Sequence, residues 1–427
     1  MADPRGMTLT EKIISLATGR ERVTPGEIVT CTVGLALMHD SGGPRRVAEK
    51  LRQINAKVWD PSKVVLVTDH FVPAIDIDSA NILVTTRNWA AEHGIKNFHD
   101  MQGISHVILP EKGLLLPGLF AVGGDSHSPT AGAYGTFMIG IGATEMVSVL
   151  ATGEIWIKVP STTLIRCEGK LQNGVVAKDM VLHLCATIGM DNSYQVIEYS
   201  GSTINDLSMQ ERMVLTNMTA ELGAKTGIIA PDQNTLTDIQ HAGGKIDEAA
   251  IKRWQADENA YYDRIVDIDV SQLEPQIAAP HSPENTLSVS HHKGVKVNQA
   301  YIGACTGAKE TDLKMAAEIL KGRKVAQGTR LLIAPASIQT TKNCIADGTM
   351  ATLTEAGAII LPTGCGACAG MGAGIIGKGE TCIASIARNF KGRMGDPDSN
   401  VYLGSPYSVA AAAVFGEVTD PRELLAE

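Results

Sequence analysis

The stretch Ala358-Ile359-Ile360-Leu361-Pro362-Thr363-Gly364-Cys365-Gly366-Ala367-Cys368-Ala369-Gly370 is a short apolar run that stops at two cysteines set among glycines. Four apolar residues closed by a proline read as a buried strand, and the residues just past its carboxyl end are where an open α/β sheet places its ligands. Three other runs end the same way. Residues 63–67 lead into Thr68-Asp69-His70, residues 119–122 into Gly123-Gly124-Asp125-Ser126-His127, and residues 295–303 into Ala304-Cys305-Thr306-Gly307. Two strand ends therefore carry an Asp and a His, and two carry cysteines. This predicts an α/β fold with its chemistry at the strand ends.

Working outward, 427 residues exceed one ordinary core, so two or three domains are expected. Hydrophobic residues at 44%, charged residues at 19% and 43 glycines fit a glycine-rich α/β enzyme and exclude a disordered or fibrous chain. A net charge of −9 argues against nucleic acid as a main partner, because phosphate-backbone binding needs clustered Lys and Arg. No apolar run approaches the roughly 18 residues that span a bilayer, so no membrane is expected. Met1-Ala2-Asp3-Pro4-Arg5-Gly6 lacks the apolar centre of a signal peptide, Met7 offers an alternative start, and the chain reads as cytoplasmic.

Residues 8–16 read as a capped helix, with Thr10 before Glu11 and Lys12 and with Gly19 as its stop. Residues 272–290 contain Pro275, Pro280 and Pro283 and few long apolar runs, the composition of a linker. A second boundary falls near Pro160, where a new strand begins. The expected division is a first α/β domain over 1–160, a second over 161–285 ending in the proline-containing linker, and a third over 286–427 that carries the special cysteines.

Eight cysteines are too few and too scattered for a disulfide framework. Cys31, Cys167, Cys185, Cys344 and Cys382 read as small buried hydrophobes. Cys365-x-x-Cys368 alone leaves zinc, redox chemistry or a structural pair of thiols open. With Cys305 added, three thiolates can hold three irons of a four-iron cubane and leave the fourth without a protein ligand, an open Lewis acid for hydroxyl and carboxylate oxygens. Spacing does not choose between these. His93, His99, His183, His241, His281, His291 and His292 read as ordinary core or surface side chains, whereas His70, His106 and His127 stand out by their setting.

Ile302-Gly303-Ala304-Cys305-Thr306, Gly364-Cys365-Gly366-Ala367-Cys368-Ala369-Gly370 and Arg388-Asn389-Phe390-Lys391-Gly392-Arg393-Met394-Gly395 resemble the cluster and substrate motifs of the large subunit in the aconitase/isopropylmalate dehydratase superfamily. Gly124-Asp125-Ser126-His127-Ser128-Pro129-Thr130-Ala131-Gly132-Ala133-Tyr134-Gly135 resembles its Asp-Ser-His motif. The likeness runs in order over nearly the whole chain. It implies three α/β/α domains around a cleft, with Cys305, Cys365 and Cys368 ligating a [4Fe-4S] cluster. It further implies that Asp69, His70, His106, Asp125, Ser126 and His127 line the site, that Glu198 lies near the labile iron, and that Arg388 and Arg393 grip substrate carboxylates through bidentate forks.

The chain also departs from that pattern. Gly307-Ala308-Lys309 stands where the family reads Asn-Gly-Arg, so Lys309 is a candidate substrate ligand carrying a point charge rather than a fork. Ala387 replaces an asparagine and Ala367 a proline. The resemblance implies a hydro-lyase for a small hydroxy-di- or tricarboxylate. 3-Isopropylmalate is the expected substrate, with maleate, citraconate, dimethylmaleate or a homoaconitase substrate as competitors. A zinc-stabilised interaction protein and an RNA-binding regulator are the non-enzymatic rivals. The swivelling fourth domain of single-chain relatives, with its catalytic serine, is not met before Glu427, so a separate small subunit is expected to supply it.

Overall fold

The computed structural model describes residues 5–425. The reading of Met1–Pro4, and of the chain's end at Glu427, lies outside those residues. The helix Leu9–Thr18 is capped by Thr8 rather than Thr10: the Thr8 side chain accepts the Glu11 N–H, and the Glu11 carboxylate accepts the Thr8 N–H. Gly19 ends it in the left-handed conformation.

Three sheets follow one another along the chain, beside a two-stranded antiparallel ribbon of Ile28–Thr32 and Glu154–Lys158. The first is five-stranded and parallel, in the spatial order Asn97–Asp100, Val64–Thr68, Leu35–His39, Phe120–Gly123, Phe137–Gly140. The second is four-stranded and parallel: Thr226–Ile229, Gln195–Ser200, Ser161–Glu168, Arg264–Asp269. The third has seven strands: Thr286–Ser288, Gln276–Ala278, Asn400–Leu403, Thr381–Ala384, Gln299–Ile302, Arg330–Ile333, Ile359–Ile360. Its last five are parallel, and its first two form an antiparallel edge. Leu35–His39 and Val64–Thr68 are buried at every position, as parallel strands covered on both faces must be.

The linker expected over 272–290 is therefore not a free connection. Gln276–Ala278 and Thr286–Ser288 pair with each other, and Ala278 pairs with Leu403, so the third sheet begins before residue 286. Its prolines, Pro275, Pro280 and Pro283, fall just outside the two strands, where the ladder needs no N–H from them.

In the first sheet, and among the five parallel strands of the third, the chain starts at a central strand, builds to one side, then crosses to the other. Such a reversal opens a crevice at the strands' carboxyl ends. In the first sheet it lies between Leu35–His39 and Phe120–Gly123; in the third, between Gln299–Ile302 and Thr381–Ala384. The two crevices face each other. Cys365 N–H donates to Asp69 O at 2.8 Å, and Ile104 N–H donates to Ala336 O at 2.9 Å. Among the described residues no helix is long and apolar enough to cross a membrane.

Candidate active site

From the first sheet, Val64–Thr68 delivers Asp69 and His70 into the cleft. His70 Nδ1 lies 2.6 Å from Asp69 Oδ1, and Asp69 Oδ2 accepts the Ser105 N–H at 2.7 Å. The neighbouring strand ends in His39 and Asp40. Asp40 accepts the N–H groups of His70 at 3.1 Å and Phe71 at 2.8 Å, and the His39 ring stacks on His70 with centroids 4.2 Å apart. Burial opposes charge on His70, but Asp69, Asp125 and Asp40 outweigh it and raise its pKa to about 9. Burial likewise opposes the Asp69 carboxylate, yet the His70 charge and hydrogen bond bring it down to about 2. His70 is thus a charged imidazolium at neutral pH.

Phe120–Gly123 brings in Asp125, Ser126 and His127. Asp125 Oδ1 lies 2.8 Å from His106 Nε2 and accepts the His127 N–H at 2.7 Å. Despite burial, these two histidines hold Asp125 well below the usual carboxylate range. His127 Nε2 lies 3.5 Å from the carboxylate of Glu221, which is buried and ion-paired with Arg388 Nε. Burial opposes charge on His127 and Glu221 alike, but the two stabilise each other, and Arg388 adds to the effect on Glu221: His127 is raised and Glu221 lowered. Arg388 Nη1 donates to Ser126 Oγ at 3.0 Å. Beside this group opens a cavity of about 400 Å³, lined by Asp125, Ser126, Lys225 and Arg388. A larger groove of about 750 Å³ lies outside the site, between Pro44–Gln53 and Ile77–Glu92.

The third sheet supplies the thiols. Cys305 and Cys368 are buried and Cys365 is half-buried. Burial and then the Cys368 charge push Cys305 up to about 12; burial, Asp69, Cys368 and Cys305 raise Cys365 well above its usual value. The three thiols are therefore near enough to influence one another's charge. Asn217 Nδ2 points at Cys305 Sγ from 3.1 Å, and Arg393 Nη2 lies 4.0 Å from Cys368 Sγ. Arg393 Nε is buried and has no hydrogen-bond partner among the described residues. Two approaches require glycine: at Gly364, with φ +149°, a Cβ would come within 2.9 Å of Asp69 O, and at Gly307 it would collide with the Ser385 hydroxyl.

The structure thus gathers Asp69, His70, His106, Asp125, Ser126, His127, Arg388, Arg393 and the three cysteines around one cleft. Two expected members lie elsewhere. Glu198 sits in Gln195–Ser200, where side chains alternate between faces. Ile197 and Tyr199 pack in the core that contains Cys368, while Val196 packs with Leu9 and Ile13. Glu198 shares the face of Val196, so it meets the helix Leu9–Thr18 and accepts the Tyr262 hydroxyl at 2.9 Å. Lys309 is fully buried. It caps Glu310–Leu320 together with Asp312, and its Nζ contacts Asp312 Oδ2 at 2.7 Å and Cys305 O at 3.1 Å. It braces the Cys305 turn from behind and does not face the cavity beside Arg388.

Sequence reasoning passed over His39, Asp40, Asn217 and Glu221. The strand-end rule applied to Leu35–His39 finds the first two. Asn217 and Glu221 lie in and just after the helix Met209–Met218, where no strand-end signal exists.

Residues 11–416 match the profile of the aconitase family (aconitate hydratase). The chain is 43% identical to the 3-isopropylmalate dehydratase large subunit 1 of Methanopyrus kandleri, over 98% of this chain and 100% of that one. It is 42% identical to the protein of the same name from Pyrococcus furiosus, over 98% and 99%. It is also 40% identical to the probable methanogen homoaconitase large subunit of Methanothermobacter thermautotrophicus, over 98% of each.

Proposed function

The chain belongs to the aconitase family, and on that premise we propose that it is the large subunit of an iron–sulfur hydro-lyase of the 3-isopropylmalate dehydratase type. The observation that carries the reading is the convergence of three thiols from one sheet with two His–Asp pairs from the first sheet and a Ser126–Arg388–Glu221 chain that joins all three parts of the molecule. The relatives' names support the substrate class, and the homoaconitase relative keeps a longer tricarboxylate as the alternative. Those relatives are called large subunits and are covered over 98–100% of their length, which supports a separate small subunit that completes the site.

Cys305, Cys365 and Cys368 would hold a [4Fe-4S] cluster. Sulfur donors suit iron and zinc alike, but the spacing favours the larger group. Ligands of one zinc lie about 3.8 Å apart for Zn–S bonds of about 2.3 Å. Among the described residues, the sets of potential ligands lying within 4.8 Å of one another are His39, Asp40, Asp69 and His70, and His106, Asp125 and His127; the thiols form no such set. When bound, the cluster would offer an open Lewis-acid iron to the substrate's oxygens.

The remaining chemistry belongs to side chains. Arg388 is oriented by Glu221 and Ser126, and its Nη2 makes no hydrogen bond among the described residues, so it can take a substrate carboxylate. Arg393, with its unpartnered Nε, is the second carboxylate ligand. His70, charged and fixed by Asp69, gives its proton to the departing hydroxyl and recovers it in the hydration direction. Glu221 holds His127 and Arg388 in register. The base that removes the carbon-bound proton comes from the small subunit.

Co-expression with a small subunit, anaerobic reconstitution with iron and sulfide, and a screen of C4 to C7 unsaturated diacids by loss of ultraviolet absorbance tests this reading. Turnover of the isopropylmalate-derived acid is expected. Turnover of maleate-sized acids alone would refute the substrate assignment, and a colourless, fully active aerobic preparation would refute the cluster.

A further inference from the structure

Lys178 opens the helix Ala177–Thr187 at its second position and is 1% exposed. An ammonium there is doubly penalised, by burial and by the positive end of the helix dipole. Its Nζ donates to Ser385 O at 3.1 Å and to Ile386 O at 2.6 Å, and among the described residues no carboxylate lies within 4.0 Å of it. The adjacent Asp179 is no partner, because its carboxylate accepts the N–H groups of Val176 and Gln276. A buried cation held only by neutral carbonyls needs a counter-charge.

The charged or ionisable groups that favour it are, in order, Glu221, Cys305 and Cys368, with Lys309 opposing. Glu221 is already matched by His127 and Arg388. The thiols remain. The carbonyl that Lys178 holds is also a junction of the site: Ser385 O accepts the Thr306 hydroxyl at 2.9 Å, and Ser385 Oγ accepts the Gly303 N–H at 3.1 Å. Lys178 thus ties the second sheet's helix to the Cys305 turn and to the segment that runs on to Arg388.

We propose that Lys178 is a positioning residue for the cluster, supplying the buried positive charge that matches the anionic cluster–thiolate unit while pinning residues 385–386 beside the Cys305 turn. Burial lowers its pKa to about 8 against the pull of Glu221 and the thiols, which leaves it mostly charged at neutral pH. The inference rests on the iron–sulfur reading above.

The test uses the full chain reconstituted anaerobically with ferrous iron and sulfide, comparing wild type, Lys178→Met, Lys178→Gln and Lys178→Arg. Iron and sulfide content, release of iron to a chelator, and the cluster midpoint in a mediated one-electron titration are measured. Lys178→Met and Lys178→Gln are expected to release iron several-fold faster and to shift the midpoint to more negative potential, because a nearby positive charge no longer favours the reduced form. Lys178→Arg is expected to restore both. Should Lys178→Met not fold, Lys178→Gln, which removes the charge but keeps an N–H donor on a slightly shorter side chain, decides the matter. A wild-type midpoint in a folded uncharged variant overturns the proposal. A wild-type chain that takes up zinc, or no cluster at all, overturns instead the reading on which it rests.

Discussion

Glu198 and Glu221 are both buried and both belong to the elements around the second sheet, yet one is structural and the other lies in the cleft. Glu198 faces the helix Leu9–Thr18 with a tyrosine for a partner. Burial there exceeds every favourable interaction and raises it to about 7. Glu221 is equally buried but sits between His127 and Arg388, and their charges outweigh burial and lower it. Burial by itself does not make a carboxylate functional; the cations facing it decide whether it is a fixed charge or a neutral acid.

The largest expected effect falls on the cleft side. Glu221→Gln removes the charge that holds both His127 and Arg388, and kcat/KM should fall by roughly 10²–10⁴, the range of a lost acid–base arrangement, with a lower melting temperature as well because the two cations lose their buried partner. An intact kcat/KM would erase the distinction between the two glutamates. Arg388→Lys comes next. A point charge cannot serve Glu221, Ser126 and a carboxylate at once, so steady-state kinetics should show KM rising by about tenfold to a hundredfold.

On the other side, Glu198→Gln should leave turnover unchanged and alter stability. The folded-state pKa of Glu198, about 7, lies above its ordinary 4.5, so the folded protein binds the proton more tightly than the unfolded chain does. That contribution is fully present below pH 4.5 and is lost as pH rises through 7. Above pH 7 the glutamine variant should therefore be more stable than wild type by about 3 kcal/mol, read from denaturant titrations at pH 6 and 8.5, with the difference shrinking toward the lower pH. The smallest effect is that of Tyr262→Phe, which deletes the hydrogen bond to Glu198 and should cost about 1 kcal/mol in the same titrations without touching kcat.

The same pair marks what the sequence revealed and what it hid. Strand ends were legible because an apolar β run followed by polar residues has a single geometric consequence in a parallel sheet. That rule located Asp69, His70, Asp125, His127 and the three cysteines, and with them the α/β class. It did not reveal which face of a strand a side chain takes. Glu198 falls on the face of Val196 only because of where the helix Leu9–Thr18 packs, a contact between residues far apart in the chain. Glu221 follows a helix, and its partners come from two other sheets, so nothing local marks it. Lys309 misled for a related reason: the aspartate three residues on makes it a helix cap with a local ion pair, and the family position alone suggested a substrate ligand.

The proposed site has three thiols jointly holding one multinuclear iron–sulfur group, and metal and acid-labile sulfide analysis, with Mössbauer spectroscopy, of the anaerobically reconstituted chain beside its Cys305→Ser variant tests it without recourse to activity. The account predicts four irons and four sulfides per chain in the wild type and loss of the group in the variant. A single zinc per chain, or iron content indifferent to Cys305, would contradict it.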